Sequence, residues 1–247
     1  STSSPAATAT DGLTPIVNSA TTNDANGNGA IDEVTVTFSE NLADAGVEQG
    51  DFSVGAYSLN GISDNGGNDD NIVKLSLTEE SSDTGATPTV SVVNTLGDLS
   101  GNALSSGDTG DSVAANDGAA PVIAQSMVVG TTVENGGDTI EVTFSEDVNG
   151  AATKSNWDGF KSPSGTTLTT NNAGFSYGSN TLTVTLDEAT DGEFLKNNDD
   201  VVVDPASGSI SDGNGQNVAD SSVTSSSSIT GDTSSPSISS IETQDRD

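Results

Sequence analysis

The sequence predicts an all-β protein built from tandem antiparallel β-sandwich domains. Three observations carry this expectation. Apolar residues alternate with Thr, Ser and acidic residues in short runs, Gly, Asn and Asp gather between those runs, and the whole pattern occurs twice along the 247 residues. Alternation with period two marks a strand with one buried face, and Gly/Asn/Asp clusters supply the turns between strands. No window carries the apolar stripe of an amphipathic helix.

The elements follow in order. Ser1 to Thr14 is rich in Ser, Thr and Ala and contains Pro5, the composition of a flexible leader or linker. Pro15-Ile16-Val17 opens the first unit. An Asn/Gly/Asp-rich loop comes next, and then Val34, Val36 and Phe38 alternate with Thr in a strand that reads Val-Thr-Phe-Ser-Glu at residues 36–40. Val73, Leu75 and Leu77 mark another strand, and Val90 to Val93 a later one. The series restarts 106 residues on: Pro121-Val122-Ile123 answers Pro15-Ile16-Val17, Asp138 answers Asp32, and Val142 to Glu146 repeats Val-Thr-Phe-Ser-Glu unchanged. Leu182, Val184 and Leu186 match the run at 73–77, Val201 to Val203 matches Val90 to Val93, and Gly213-Asn214 matches Gly101-Asn102. Matches that keep their order along the chain mean a duplicated domain.

Units of about 105 residues with short strands fit an Ig-like sandwich of about seven strands. Trp157 stands where the third strand of the second unit should begin, and with Phe160 it is expected in the core and not on a binding platform. Pro236 to Ile241 mirrors the starts at Pro15 and Pro121, and the sequence ends 11 residues after Pro236. The expected layout is a leader or linker at 1–14, a first domain at 15–118, a second at 119–233, and the first strand of a further repeat at 234–247. The natural protein is expected to continue beyond it.

Composition narrows the function. Apolar residues make up 31% of the chain and the net charge is -32. Low hydrophobicity with high charge is the composition of disorder, but the ordered placement of the apolar residues argues for folded β structure. Against 37 acidic residues stand only Lys74, Lys154, Lys161, Lys196 and Arg246. Such a charge strains a compact fold by self-repulsion, and molar salt, with a Debye length of about 3 Å, removes most of that strain. The surface therefore suits a halophilic protein. A calcium-rich extracellular protein from an ordinary habitat also runs acidic, and that alternative stays open. Nucleic acid and anionic membrane surfaces are excluded as partners by repulsion, and no apolar run reaches the length of a membrane span.

The chain has no Cys and no His, so it lacks a thiol nucleophile, an imidazole base, a disulfide framework and the usual transition-metal ligands. No pair of carboxylates is singled out for glycoside hydrolysis. An enzyme is not expected. For extracellular domains without disulfides, bound metal is a natural substitute staple. None of the 22 Asn residues lies in an Asn-x-Ser/Thr sequon, while the run Ser221 to Ser228 leaves O-linked sugar open.

One loop points to a metal. Asp24-Ala-Asn26-Gly-Asn28-Gly-Ala30-Ile-Asp32 follows the first half of an EF-hand-type calcium loop. Oxygen ligands fall at positions 1, 3 and 5, glycine at 6, a backbone carbonyl (Ala30) at 7 and a carboxylate (Asp32) at 9. Position 12 is Thr35 in place of the bidentate Glu, so calcium needs a further acid, either Glu33 or one from a neighbouring loop. The second unit has Gly130, Thr132 and Glu134 at the equivalent places and should not bind. In the third, Asp245 and Asp247 fall where Asp24 and Asn26 fall in the first, which makes them candidate ligands as well. A loop after the first strand of a sandwich lies at the pole where the last strand leaves. The Asp24 loop is therefore expected near Asn116, Asp117 and Gly118, at the joint with the second domain. The acidic stretches Asp64 to Asn71 and Asp199-Asp200 read as solvated loops.

A unit with Pro near its start, an early Val-Thr-Phe-Ser-Glu strand and a late Gly-Asn turn resembles the bacterial Ig-like domains of S-layer proteins and large surface adhesins. The resemblance covers residues 15–233. It implies a structural extracellular segment at the cell surface, in an S-layer, sheath or filament, whose partners are copies of itself or further Ig-like domains, with a surface glycan or protein as another possible partner. The competing readings are an adhesin or carbohydrate-binding module, which wants exposed aromatics, and a non-catalytic spacer of a secreted enzyme. For the strand at Pro236 to Ile241, completion of the sheet edge of a neighbouring molecule, and so a filament, is one hypothesis that the sequence does not decide.

Overall fold

The computed structural model describes residues 11–64, 69–80, 82–129, 139–162, 164–186, 199–218 and 223–224. Among them the regular structure is strand, with three short 3-10 turns and no α-helix. The first domain contains β1 (Val17–Asn23), β2 (Glu33–Phe38), β3 (Phe52–Val54), β4 (Leu59–Asp64), β5 (Ile72–Leu77), β6 (Thr89–Val92), β7 (Thr95–Gly97), β8 (Ala103–Ser105) and β9 (Ser112–Ala114). One antiparallel sheet has the order β1-β2-β5-β4 and the other β3-β6-β9, with β7-β8 as a separate hairpin. The second domain repeats the plan with β10 (Ile123–Val129), β11 (Thr139–Phe144), β12 (Trp157–Lys161), β13 (Thr170–Gly178), β14 (Thr181–Leu186), β15 (Val202–Pro205) and β16 (Val223–Thr224). Its sheets run β10-β11-β14-β13 and β12-β15-β16.

Alternation in the sequence becomes alternation of burial. Along β2, Val34, Val36 and Phe38 face inward while Thr35 and Thr37 are half-buried, and β5, β11 and β14 show the same pattern. Each such Val, Leu or Phe contributes about 1.5–3 kcal/mol by leaving water. The buried apolar side chains fall into two clusters, one from Val17 to Ala119 and one from Ile123 to Val218. Trp157 belongs to the second cluster. Its indole N–H donates to the Ala151 carbonyl at 2.9 Å, and its ring lies 5.2 Å from Phe160 and 6.3 Å from Phe144.

The duplication extends to irregularities. A bulge between Val17 and Ser19 in β1 recurs between Ile123 and Gln125 in β10. Ser39 and Ser145 make the same two bonds, donating N–H to the carbonyls of Ile16 and Val122 and accepting theirs on Oγ. The late turn needs a correction to its sequence match. Asp98 donates its N–H to the Asn102 carbonyl and Asp212 to that of Gln216, both at 2.9 Å. The partner of Gly101 is therefore Gly215, two residues beyond Gly213. Backbone conformation decides this, because Gly101 and Gly215 take φ of 90° and 89°, a left-handed turn in which glycine is favoured. Residues 1–10, Asp138 and the stretch from Pro236 onward lie outside the described residues.

A candidate metal centre at the domain junction

The loop from Asp24 to Asp32 joins β1 to β2 and winds around its own side chains. Asp24 Oδ1 accepts the N–H groups of Gly27 at 2.7 Å and Asn28 at 3.2 Å, and Oδ2 accepts that of Gly29 at 2.7 Å. Asn26 Oδ1 accepts from the Asn28 N–H, Asn28 Oδ1 from the Ala30 N–H, and Asp32 Oδ1 from the Ala25 N–H. The four side chains spaced by the calcium-loop pattern thus all fold back over one small loop. Gly29, at φ 91°, makes the sharp turn. Ile31 is fully buried and anchors the far end. Its N–H donates to Asp83 Oδ1 at 3.0 Å, while Asp83 Oδ2 accepts the Tyr57 hydroxyl. Burial, helped by that bond to Asp83, pushes the Tyr57 hydroxyl above its ordinary pKa, so it remains the donor.

A further carboxylate faces the loop from just beyond a distant strand. Glu79, just past β5, accepts the Asn26 amide on Oε1 at 2.5 Å and the Asn28 amide on Oε2 at 3.0 Å. Both of its oxygens face the loop, as a bidentate ligand must. An Asn side chain offers either nitrogen or oxygen to a neighbour, and toward a bare carboxylate it offers nitrogen. Glu33 does not serve the loop. It sits on the sheet surface, 3.9 Å from Lys74 Nζ, and accepts from Ser63 Oγ at 2.8 Å and Asn23 Nδ2 at 3.4 Å. Thr35, at position 12, is held in β2 opposite Lys74. Asp24, Asn26, Asn28, Ala30 and Asp32 thus lie in one small loop that Glu79 faces, but the carboxylates of Asp24, Asp32 and Glu79 are not among the groups of described residues whose oxygens converge within 4.8 Å of one another. Asp245 and Asp247, and the equivalent loop of the second unit at 130–138, lie outside the described residues.

Glu79 was not visible from spacing, since it stands far from the loop in sequence. The signal was the acidic pair Glu79-Glu80 at the end of the run 73–77, the strand that pairs with β2 so that Glu33 lies opposite Ser76.

The loop lies in the joint between the domains. A Cβ on Gly29 would come within 2.6 Å of Val122 Cγ2, so the loop is pressed against the start of the second domain. Beside it, Thr84 Oγ1 and Ser145 Oγ share a buried hydrogen bond of 2.5 Å. The connecting segment is held from both sides. Asn116 exchanges backbone hydrogen bonds with Ala20 and Thr22, and the Gly118 N–H donates to Thr22 Oγ1 at 3.2 Å. From the second domain, Asn214 Nδ2 donates to Asp117 Oδ2 at 3.0 Å and Gln216 Nε2 to the Gly118 carbonyl at 3.5 Å. These contacts bring the Asp24 loop and residues 116–118 to the same end of the first sandwich.

No family model matches the chain, and no solved structure matches it. An outer cell wall protein of Brevibacillus brevis is 38% identical over 108 residues, a match that covers 42% of this chain and 10% of the relative. The matched region is thus a small part of that protein.

Proposed function

We propose that the chain is a non-catalytic structural segment of a cell-surface protein, of S-layer, sheath or filament type, in which Ig-like domains are joined end to end and the joint is stiffened by calcium. The observation that carries this reading is the position of the Asp24 loop. A loop with the side-chain spacing of a calcium site, faced by Glu79, is pressed against the neighbouring domain through Gly29 and Val122. A cation that orders it would order the contact as well. The sheet orders β1-β2-β5-β4 with β3-β6-β9, and their repeats, support an Ig-like reading, because they correspond to the two sheets of a seven-stranded immunoglobulin constant-type sandwich. The cell-surface part is supported by the name of the Brevibacillus relative. A carbohydrate-binding role is less well supported, since each aromatic side chain among the described residues is buried or half-buried.

Calcium calorimetry tests the reading. The chain should bind calcium with measurable heat, and Asp24→Ala combined with Asp32→Ala should remove the loop's contribution. Absence of any heat in the unaltered chain would reduce the loop to an ordinary turn.

A further inference from the structure

Three carboxylates converge at the joint outside the Asp24 loop. Asp117 lies in the connecting segment, Glu146 ends the repeated Val-Thr-Phe-Ser-Glu stretch after β11, and Asp212 opens the late turn of the second domain. One oxygen of each lies within 4.8 Å of the others. Burial without partners separates this group from surface acids. Glu146 is 8% exposed and Asp212 3%, and Asp117 Oδ1, Glu146 Oε1 and Asp212 Oδ2 are buried and accept no hydrogen bond. The second oxygens of the two aspartates are tied in place. Asp212 Oδ1 accepts the N–H groups of Asn214 at 2.9 Å and Gln216 at 2.7 Å, and Asp117 Oδ2 accepts from Asn214.

Buried carboxylate oxygens without donors are costly, and like charges brought together add to the cost. Among the described residues, no basic side chain forms an ion pair with this cluster. The spacing and chemistry fit a cation. Calcium takes oxygens at about 2.3–2.6 Å, which puts ligands on opposite sides of the ion about 4.6–5.2 Å apart, and an all-carboxylate set selects a hard cation. A recess of about 330 Å³ lined by Asp83, Ser145, Glu146 and Asp147 among others gives access to Glu146.

We propose that Asp117, Glu146 and Asp212 form a second calcium site, which fastens the connecting segment to the second sandwich. It deepens the reading of the joint as calcium-stiffened, and rests on that reading. The same positions recur one domain earlier as Asp11, Glu40 and Asp98, whose oxygens also converge within 4.8 Å. The two copies differ in how the late turn is tied. Asn102 donates its amide to Asp98 Oδ2 at 2.8 Å, whereas Gln216, one methylene longer, reaches the Gly118 carbonyl and leaves Asp212 Oδ2 without a donor.

The test uses the full chain with the Asp24 loop disabled by Asp24→Ala and Asp32→Ala, so that the two sites are read separately. In that background calcium should still bind and raise Tm. Adding Glu146→Gln with Asp212→Asn should weaken this binding at least tenfold and remove most of the calcium-dependent rise. In chelator at pH 8 the same pair should raise Tm, because it removes charge repulsion, and that opposite sign is one a merely structural role would not give. Glu146→Gln alone, the milder change, should show both effects in smaller measure. If the loop-disabled chain binds no calcium, or if its binding and Tm gain are unchanged by both variants, the carboxylate site is overturned, while the loop reading is decided separately by what Asp24→Ala with Asp32→Ala removes from the unaltered chain. If the unaltered chain binds no calcium, the parent reading fails as well.

Discussion

Asp24 accepts three backbone N–H groups of its own loop, and Glu79 closes the loop from a strand end. That division explains what was legible in the sequence. Asp24, Asn26, Asn28 and Asp32 fold back over one loop through their spacing along the chain, so the pattern picked out the turn they make. Glu79 reaches the loop through strand pairing, which brings distant residues together, while Glu33, the nearer candidate, lies on the sheet face beside Lys74. Gly29 gives a sharp residue-scale prediction. Its φ of 91° and the approach of Val122 to 2.6 Å leave no room for a Cβ, so Gly29→Ala should destabilise the chain by about 1–3 kcal/mol. Gly27→Ala shares the left-handed backbone but meets nothing within 4 Å, and should cost less. Urea denaturation of the two variants measures the difference. At the carboxylate cluster, two ionised oxygens within 4.8 Å of one another repel by about 3 kcal/mol or more at an effective dielectric of about 20, which sets the scale that a cation would offset.

The repeated Val-Thr-Phe-Ser-Glu segment shows how one element serves two ends. In the second domain, Val142 and Phe144 fill the core, Ser145 bonds Val122 and Thr84, and Glu146 enters the carboxylate cluster. The alternation that identified the strand came from Val and Phe alone. The function of the final Ser and Glu depends on what the next loop brings, and no strand period reveals that, although the Glu recurred unchanged. The Asp four residues before each domain-opening Pro, Asp11 and Asp117, was a further overlooked signal, and Asp232 stands likewise before Pro236. Ser145→Ala should leave Thr84 and the Val122 N–H without their partner in a buried setting and cost about 1–3 kcal/mol. Ser39→Ala removes the same bond to Ile16 at an exposed position and should cost under about 1 kcal/mol. Chemical denaturation of the paired variants checks the contrast, and equal losses would contradict the special role of the second copy.

At the scale of the whole molecule, self-repulsion between acidic side chains outweighs attraction. The net charge of -32 arises from 37 acidic against five basic residues, so pairing between side chains does little to balance it. Screening by salt must do more. With calcium held saturating, Tm should rise steeply between about 0.1 M and 2 M NaCl, and equal melting temperatures would remove the halophilic reading. The β-sandwich architecture and the duplication were legible because both write themselves into linear order. The joint was only partly legible: topology placed the Asp24 loop near residues 116–118, but its packing on Val122 arises from how two surfaces meet.

The central claim, that calcium stiffens the joint between the two sandwiches, is tested most directly by small-angle X-ray scattering of the chain in saturating calcium and in chelator. Ligand binding favours the ordered state by mass action. Calcium should therefore narrow the distribution of distances between the domains, chelator should broaden it, and Asp24→Ala with Asp32→Ala should shift the calcium profile toward the chelated one. Superimposable profiles with and without calcium would contradict the claim.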